Sequence, residues 1–352
     1  MKRVMRKVVL SIAIFSVAVA FWLWHDINHF LSTPLVLPQD GLKIEVSQGS
    51  NLTRVSRMLA EQGVLKKPRY LLWYAHWIQH ANKISVGEYH IAAGTTPKAL
   101  LTQLVEGKVI QYSITLVDGW TFAQALEVVQ SNPYLVHHLE GLDPETIMAR
   151  LGYAGQHPEG RFMPDTYYFP RGMTDIAFLQ RAYQAMQSYL DNAWRTRDVG
   201  IPLHTPYEAL ILASIVEKET GLTSERHAIA GVFSRRLIKH MRLQSDPTVI
   251  YGMGESYKGN IRRRDLHSNN EYNTYQHAGL PPTPIALPSR DAIDAVLHPE
   301  EGNALYFVSR GDGSHKFSAT LEEHNQAVIK YQLKGKAKPF SSFKPADTSK
   351  QE

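Results

Sequence analysis

Residues 205–221 read Thr-Pro-Tyr-Glu-Ala-Leu-Ile-Leu-Ala-Ser-Ile-Val-Glu-Lys-Glu-Thr-Gly. Thr205 to Glu208 has the pattern of a capping box, with Pro206 at the first helical position. Leu210, Ile211, Leu212, Ala213, Ile215 and Val216 make the predicted helix apolar nearly all round, which argues for burial. Gly221 offers a stop. The domain that this helix opens, residues 205–335, reads as mainly helical α+β. Near the helix end stands Glu217. A carboxyl group taken out of water favours its neutral form, so its pKa is expected to rise, which prepares a general acid for neutral pH. The plainer reading is a rim carboxylate paired with Lys218, Arg226 or Lys239. Glu219 lies about 200° further round the helix, so the two acids cannot serve one site as a pair. The apolar neighbours Ala213 and Leu210 favour Glu217 as the cleft residue.

The chain has 352 residues, long enough for two domains besides any tail. Its 43% apolar content is ordinary for a globular protein. The net charge of +5 has a local origin. Lys2, Arg3, Arg6 and Lys7 carry four charges with no acid nearby, and the remainder holds 34 basic against 33 acidic side chains. That location points to a membrane flank and away from nucleic acid. The absence of cysteine excludes disulfides, thiolate metal sites and cysteine nucleophiles.

Val8 to Trp24 is apolar apart from Ser11 and Ser16. As a helix it would span about 25 Å, the short end of what crosses a bilayer. Trp22 and Trp24 sit where an aromatic belt would lie, and His25-Asp26 ends the run. Ala18-Val19-Ala20 would suit cleavage of a signal peptide, but the apolar run continues past it. A retained anchor over residues 1–26, with a cytoplasmic N-terminus and an exported bulk, is the favoured reading. Residues 27–41 read as a linker.

A pattern then occurs three times: strand, Gly turn, hydroxyl or Asn cap, amphipathic helix. The strands are expected at Lys43–Val46, Tyr89–Ile91 and Ser113–Val117. The caps fall at Asn51, near Thr96 and at Thr121. Together these units make an α/β module over residues 42–130. Residues 131–204 read as a helical connecting region and 336–352 as a disordered tail.

Gln244-Ser245-Asp246-Pro247 packs polar groups beside a Pro turn, which suits binding of hydroxyls or amides. The simpler reading is Asp246 capping a helix that starts at Pro247. Tyr272-Asn273-Thr274-Tyr275 offers aromatic faces and an amide, as sugar clefts do, or else a surface loop. His298, His315 and His324 are scattered, with no metal-ligand spacing, so neither a metal nor a cofactor is expected. Arg262-Arg263-Arg264 reads as a solvated face.

Taken as a set, these motifs resemble the MltG (YceG-like) endolytic murein transglycosylases. The set includes Glu159-Gly160-Arg161-Phe162, Pro164-Asp165-Thr166-Tyr167, Ala213 to Glu219, and Leu243 to Gly252. It continues with Tyr272 to Tyr275, Gly279-Leu280-Pro281-Pro282 and His324-Asn325. The chain departs at Thr283 and Ser289, where the family commonly carries Gly. The resemblance implies a single N-terminal transmembrane helix, a LysM-like module and then the catalytic domain. It places the catalytic glutamate on Glu217 and makes Gln244, Ser245, Asp246, Tyr272 and Asn273 candidate substrate contacts. It implies lytic cleavage of the MurNAc–GlcNAc β-1,4 bond of peptidoglycan glycan strands, leaving 1,6-anhydro ends. It further implies a bacterial inner-membrane location with a periplasmic bulk, and peptidoglycan synthases as possible partners. Two other readings stay open: a membrane-anchored glycan-binding scaffold, and a lysozyme-like hydrolase pairing Glu217 with Asp246 or Asp265.

Overall fold

Helix starts follow their cap chemistry. In the computed structural model, which describes residues 2–47 and 49–336, Asn51 accepts from the Arg54 N–H at 2.9 Å. Thr96 accepts from the Ala99 N–H at 3.2 Å. Thr121 and Gln124 form a full capping box. Thr205 accepts from the Glu208 N–H at 3.1 Å, but the Glu208 carboxylate turns to the His204 N–H at 2.6 Å. That box is therefore half made.

The chain divides into two units. The first holds the residues up to Ser113 together with Tyr168–Met173. Its elements are α1 (Lys2–Ser32), β1 (Leu42–Val46), α2 (Leu52–Glu61), α3 (Pro68–Trp77), β2 (Gly87–Ile91) and α4 (Pro97–Glu106). β1 and β2 pair antiparallel, with Ile44 opposite Tyr89. Their inward side chains join Leu52, Leu59, Leu71, Leu100 and Leu104 in one core. Leu31 and Leu35 are buried in that core too. The stretch expected as a linker from residue 27 is thus helical to Ser32 and packed into the module. Its apolar residues gain more from burial than a free tether would.

The third strand of the sequence pattern, β3 (Gln111–Leu116), pairs with β4 (Asp165–Pro170) and not with β1 or β2. Residues 114–116 and 165–167 of this ribbon belong to the second unit. The second unit continues with α5 (Phe122–Gln130), α6 (Pro144–Arg150), α7 (Asp175–Arg195), α8 (Pro206–Glu219), α9 (Arg226–Ile238), α10 (Asp246–Met253) and α11 (Arg290–Leu297). The antiparallel pair β5 (Tyr306–Ser309) and β6 (His315–Ser318) and helix α12 (Leu321–Tyr331) complete it. The tail expected to be disordered lies outside the described residues beyond Lys336.

Helix α8 is the axis of this unit. Every residue from Ala209 to Val216 is buried, and α7, α9, α10 and α11 all pack on it. Ser214 interrupts the apolar surface for a reason. Its hydroxyl donates to Ile211 O at 2.7 Å and accepts from the Ile285 N–H at 2.9 Å. This bond pins the segment that leads to Ser289 against α8. Replacing Ser214 by Ala leaves the buried Ile285 N–H without a partner. Denaturant unfolding is expected to register a loss of about 1–3 kcal/mol.

Candidate active site

The last turn of α8 delivers Glu217, whose side chain is only 6% exposed. Arg226, the first residue of α9, donates from Nη2 to Glu217 Oε1 at 2.9 Å. Ser289, the N-cap of α11, donates its backbone N–H to Glu217 Oε2 at 3.0 Å, and its hydroxyl bonds the same oxygen. Arg226 Nη1 donates to Ser289 Oγ at 2.8 Å and lies 3.7 Å from Asp291. Oγ also accepts from the Ala292 N–H at 3.2 Å. The carboxylate therefore meets a guanidinium and the positive end of a helix together. Glu217 is sheltered, as expected, and paired with Arg226, as the plainer reading held. Both descriptions apply to the same group.

A groove of about 520 Å³ opens beside this cluster. Arg226 and Ser289, which both bond Glu217, stand in its wall, while Glu217 itself is not among the lining residues. Asp118, Asp165, Asp291 and Arg290 also line it, with Thr115, Thr166 and Thr223. Such a wall offers hydroxyls, acceptors and cations, which suits a ligand rich in hydroxyl groups. Asp118 has its pKa pushed up, first by partial burial and then by the nearby charge of Glu217, against the opposing pull of Arg226.

The turn that carries Asp118 is fixed from two sides. Lys218 Nζ donates to Gly119 O at 3.1 Å. The Gly119 N–H donates to Leu287 O at 2.8 Å, and the Leu287 N–H donates to Trp120 O at 2.7 Å. Gly119 has φ +75°, and a Cβ there would make ordinary contact with Lys218 and with Glu217 Cγ, the latter at 3.8 Å. A left-handed backbone this close to the acid calls for glycine. Sequence reading took this turn only as a helix start. Asp118, Asp291 and the contact from Ser289 were missed, because they meet Glu217 only through long-range folding. In sequence Ser289 stands out only as a departure from the family pattern. It proves to touch the carboxylate itself.

The five candidate binding residues fall elsewhere. Ser245 is buried, and its hydroxyl donates to Glu219. Asn273 is 1% exposed and saturated by backbone: its Nδ2 donates to Ser268 O at 2.8 Å, and its Oδ1 accepts from the Tyr275 N–H at 3.0 Å. Tyr272 shares a hydrogen bond with Thr283 Oγ1 at 2.9 Å and tilts against Tyr251. Asp246 is exposed and accepts from the Tyr275 hydroxyl at 2.6 Å. It does not cap α10, whose N-cap is Ser245 without a side-chain cap bond. Gln244 is exposed at φ +51°. None of the five lines the groove beside Glu217.

Two further acids are enclosed. Glu219 faces Ser245 instead of Glu217, as its position round the helix predicts, and burial pushes its pKa up to about 7. Glu159 is 4% exposed and accepts from the Phe122 N–H at 2.9 Å and from the Tyr251 hydroxyl at 3.0 Å. Burial outweighs those bonds and lifts its pKa to about 7. It ties the start of α5, just after the Asp118 turn, to α10.

Comparison with known proteins shows the family of the chain. The YceG-like family matches residues 44–330. The chain is 30% identical over 312 residues to the endolytic murein transglycosylase of Bacillus subtilis strain 168, covering 82% of this chain and 84% of that protein. It is 24% identical to the endolytic murein transglycosylase of Streptococcus pneumoniae strain D39, covering 82% of this chain and 58% of that longer protein. The crystal structure of a putative yceG-like protein from Listeria monocytogenes matches with a TM-score of 0.52 at 26% identity, over 82% of this chain and 100% of that one.

Glu159 has a consequence for stability. Its native pKa is raised, so between about 4.5 and 7 the folded state holds a proton that the unfolded chain has released. Stability from this group is full below the unfolded value and falls as pH rises through about 7. Thermal melts of the full chain in detergent should therefore weaken from pH 5 to pH 8. Glu159→Gln should flatten that slope by about 2–3 kcal/mol, and Glu219, also raised to about 7, contributes with the same sign.

Proposed function

We propose that this chain, which belongs to the YceG-like family, is a lytic transglycosylase that cleaves the MurNAc–GlcNAc β-1,4 bond of peptidoglycan glycan strands. The observation that carries the proposal is Glu217: one sheltered carboxyl group, held by Arg226 and Ser289, behind the wall of a hydroxyl-binding groove. The names of the relatives point the same way.

In this reaction Glu217 gives a proton to the glycosidic oxygen as its bond to C1 breaks. The C6 hydroxyl of the same muramic residue bonds to C1 and returns its proton to the carboxylate. Atoms balance without water, and the product carries a 1,6-anhydro end. The nucleophile is supplied by the substrate at high effective concentration, so a second carboxylate is not required. Ser289 and Arg226 fix the carboxyl orientation in the resting site. Sugar hydroxyls entering the groove would exchange bonds with both. The apolar helix α1 is the anchor in the bacterial inner membrane, N-terminus cytoplasmic, with the two units in the periplasm. That reading is supported by a 30-residue helical segment, long and apolar enough to cross a membrane, near the basic N-terminus. The β1–α2–α3–β2 module serves as a glycan holder, and peptidoglycan synthases are natural partners for an enzyme so placed.

One observation favours a second reading. Asp118 sits in the groove within the field of Glu217, so a hydrolase would draw on that acid. Asp246 and Asp265, the partners considered from sequence, do not line the groove.

Digestion of purified glycan strands followed by mass analysis decides between the two. Anhydro ends are expected; reducing ends would replace the lytic mechanism by hydrolysis. Glu217→Gln keeps the size of the side chain but has no proton to give, and turnover should fall by at least roughly 10²–10⁴. Near-wild-type turnover would unseat Glu217. Ser289→Ala retains the backbone N–H to Glu217 but gives up the hydroxyl's bond to the carboxylate, its acceptor for Arg226 and its cap bond from the Ala292 N–H. It is expected to lower kcat about tenfold with KM little changed, as the bond that positions the carboxyl group, of about 1–1.5 kcal/mol, is lost, and to lower stability by about 1 kcal/mol through the lost cap.

A further inference from the structure

Helix α3 carries an aromatic face that the proposed activity does not use. Trp73 is 54% exposed and Trp77 is 78% exposed, an unusual state for so much apolar surface. They lie one turn apart on the same side of the helix, with the exposed Arg69 one turn before them. His76 lies between them and is exposed as well.

The position of this face relative to α1 is fixed. Asp26, the first acid after the apolar run, accepts from Lys67 Nζ at 2.7 Å and from the Tyr70 hydroxyl at 2.7 Å. The Tyr70 ring meets Phe30 edge-on and stacks on Trp73. Trp24, Ile27, Asn28 and Leu31 of α1 then form an apolar crevice of about 220 Å³ with Trp73, Tyr74 and Trp77. Trp24 to Leu31 covers only about 10 Å along a helix. The exposed tryptophans of α3 therefore stand level with the end of the apolar run, beside Trp24, itself 58% exposed.

We propose that the Trp73–Trp77 face of α3 seats in the interfacial zone of the bilayer that α1 spans, as a second and monotopic membrane contact. This rests on the reading of α1 as the anchor. Indole rings favour that zone, where an apolar body meets lipid and the N–H stays hydrated. Arg69 extends the same stripe and can reach headgroup phosphates while its stem covers apolar surface. The contact continues an interface that α1 already makes, so its occupant is lipid and not another protein.

The native chain has no cysteine, so single cysteines place a spin label uniquely. The full chain is reconstituted in phosphatidylethanolamine–phosphatidylglycerol vesicles with a label at Phe15→Cys, His76→Cys or Arg54→Cys. Collision with oxygen, enriched in lipid, is compared with collision with a water-soluble nickel chelate. The label at position 76 leaves both tryptophans intact. Its oxygen-to-nickel ratio is expected to exceed that at position 54 several-fold. Adding Trp73→Ala and Trp77→Ala should bring it down toward the aqueous value. Oxygen preference at 15 with nickel preference at 76 overturns the α3 contact and leaves the anchor standing. Nickel preference at 15 overturns the anchor, and the α3 contact with it.

Discussion

Glu217, Arg226 and Ser289 meet where α8 ends and α9 and α11 begin, and that convergence organises the catalytic unit. An ion pair this enclosed gains little net stability, because desolvating both charges offsets most of their attraction. Its value lies in geometry. Each partner comes from a different helix, so the carboxyl group is placed correctly only when all three are packed. Ser214 and the Gly119–Leu287–Trp120 bonds extend the same logic outward. They hold the approach to Ser289 and the Asp118 turn against the helix that carries the acid.

Much of this was legible in the sequence, and the limits have physical causes. Caps at Asn51, Thr96, Thr121 and Thr205 act through neighbours in sequence, so their residues announced them. The all-round apolar pattern of α8 gave its central place. Contacts across long loops left no local signal. Ser289 lies 72 residues from Glu217, and nothing about an isolated serine marks it as a partner of a buried acid. Asn273 misled for the opposite reason. An amide among aromatics suggests a ligand, yet its polar atoms are consumed by the loop that surrounds it. The third strand of the apparent repeat followed its own residues locally but paired with β4, a choice that periodicity does not encode.

Ser289 shows how much a single hydroxyl can link around Glu217. A glycine at that position would keep the backbone N–H at the start of α11. It would lack the hydroxyl that links the carboxylate to the guanidinium. Ser289 thus puts one more polar group on the Glu217 carboxylate than a glycine would supply. The acids of the groove matter in the same way. Asp118 feels Glu217 through space, which adds to the effect of burial in raising its own pKa.

The unbroken passage of α1 into the first unit has a mechanical meaning. Leu31 and Leu35 are wedged among the side chains beneath the β1–β2 pair, and Lys67 and Tyr70 grip Asp26 from the side. There is no swivel at this joint. Any lean or axial turn of the long N-terminal rod is handed directly to the sheet, as a handle turns a blade. Lipid thickness, through the lean it imposes on a spanning rod, would then steer the whole first unit.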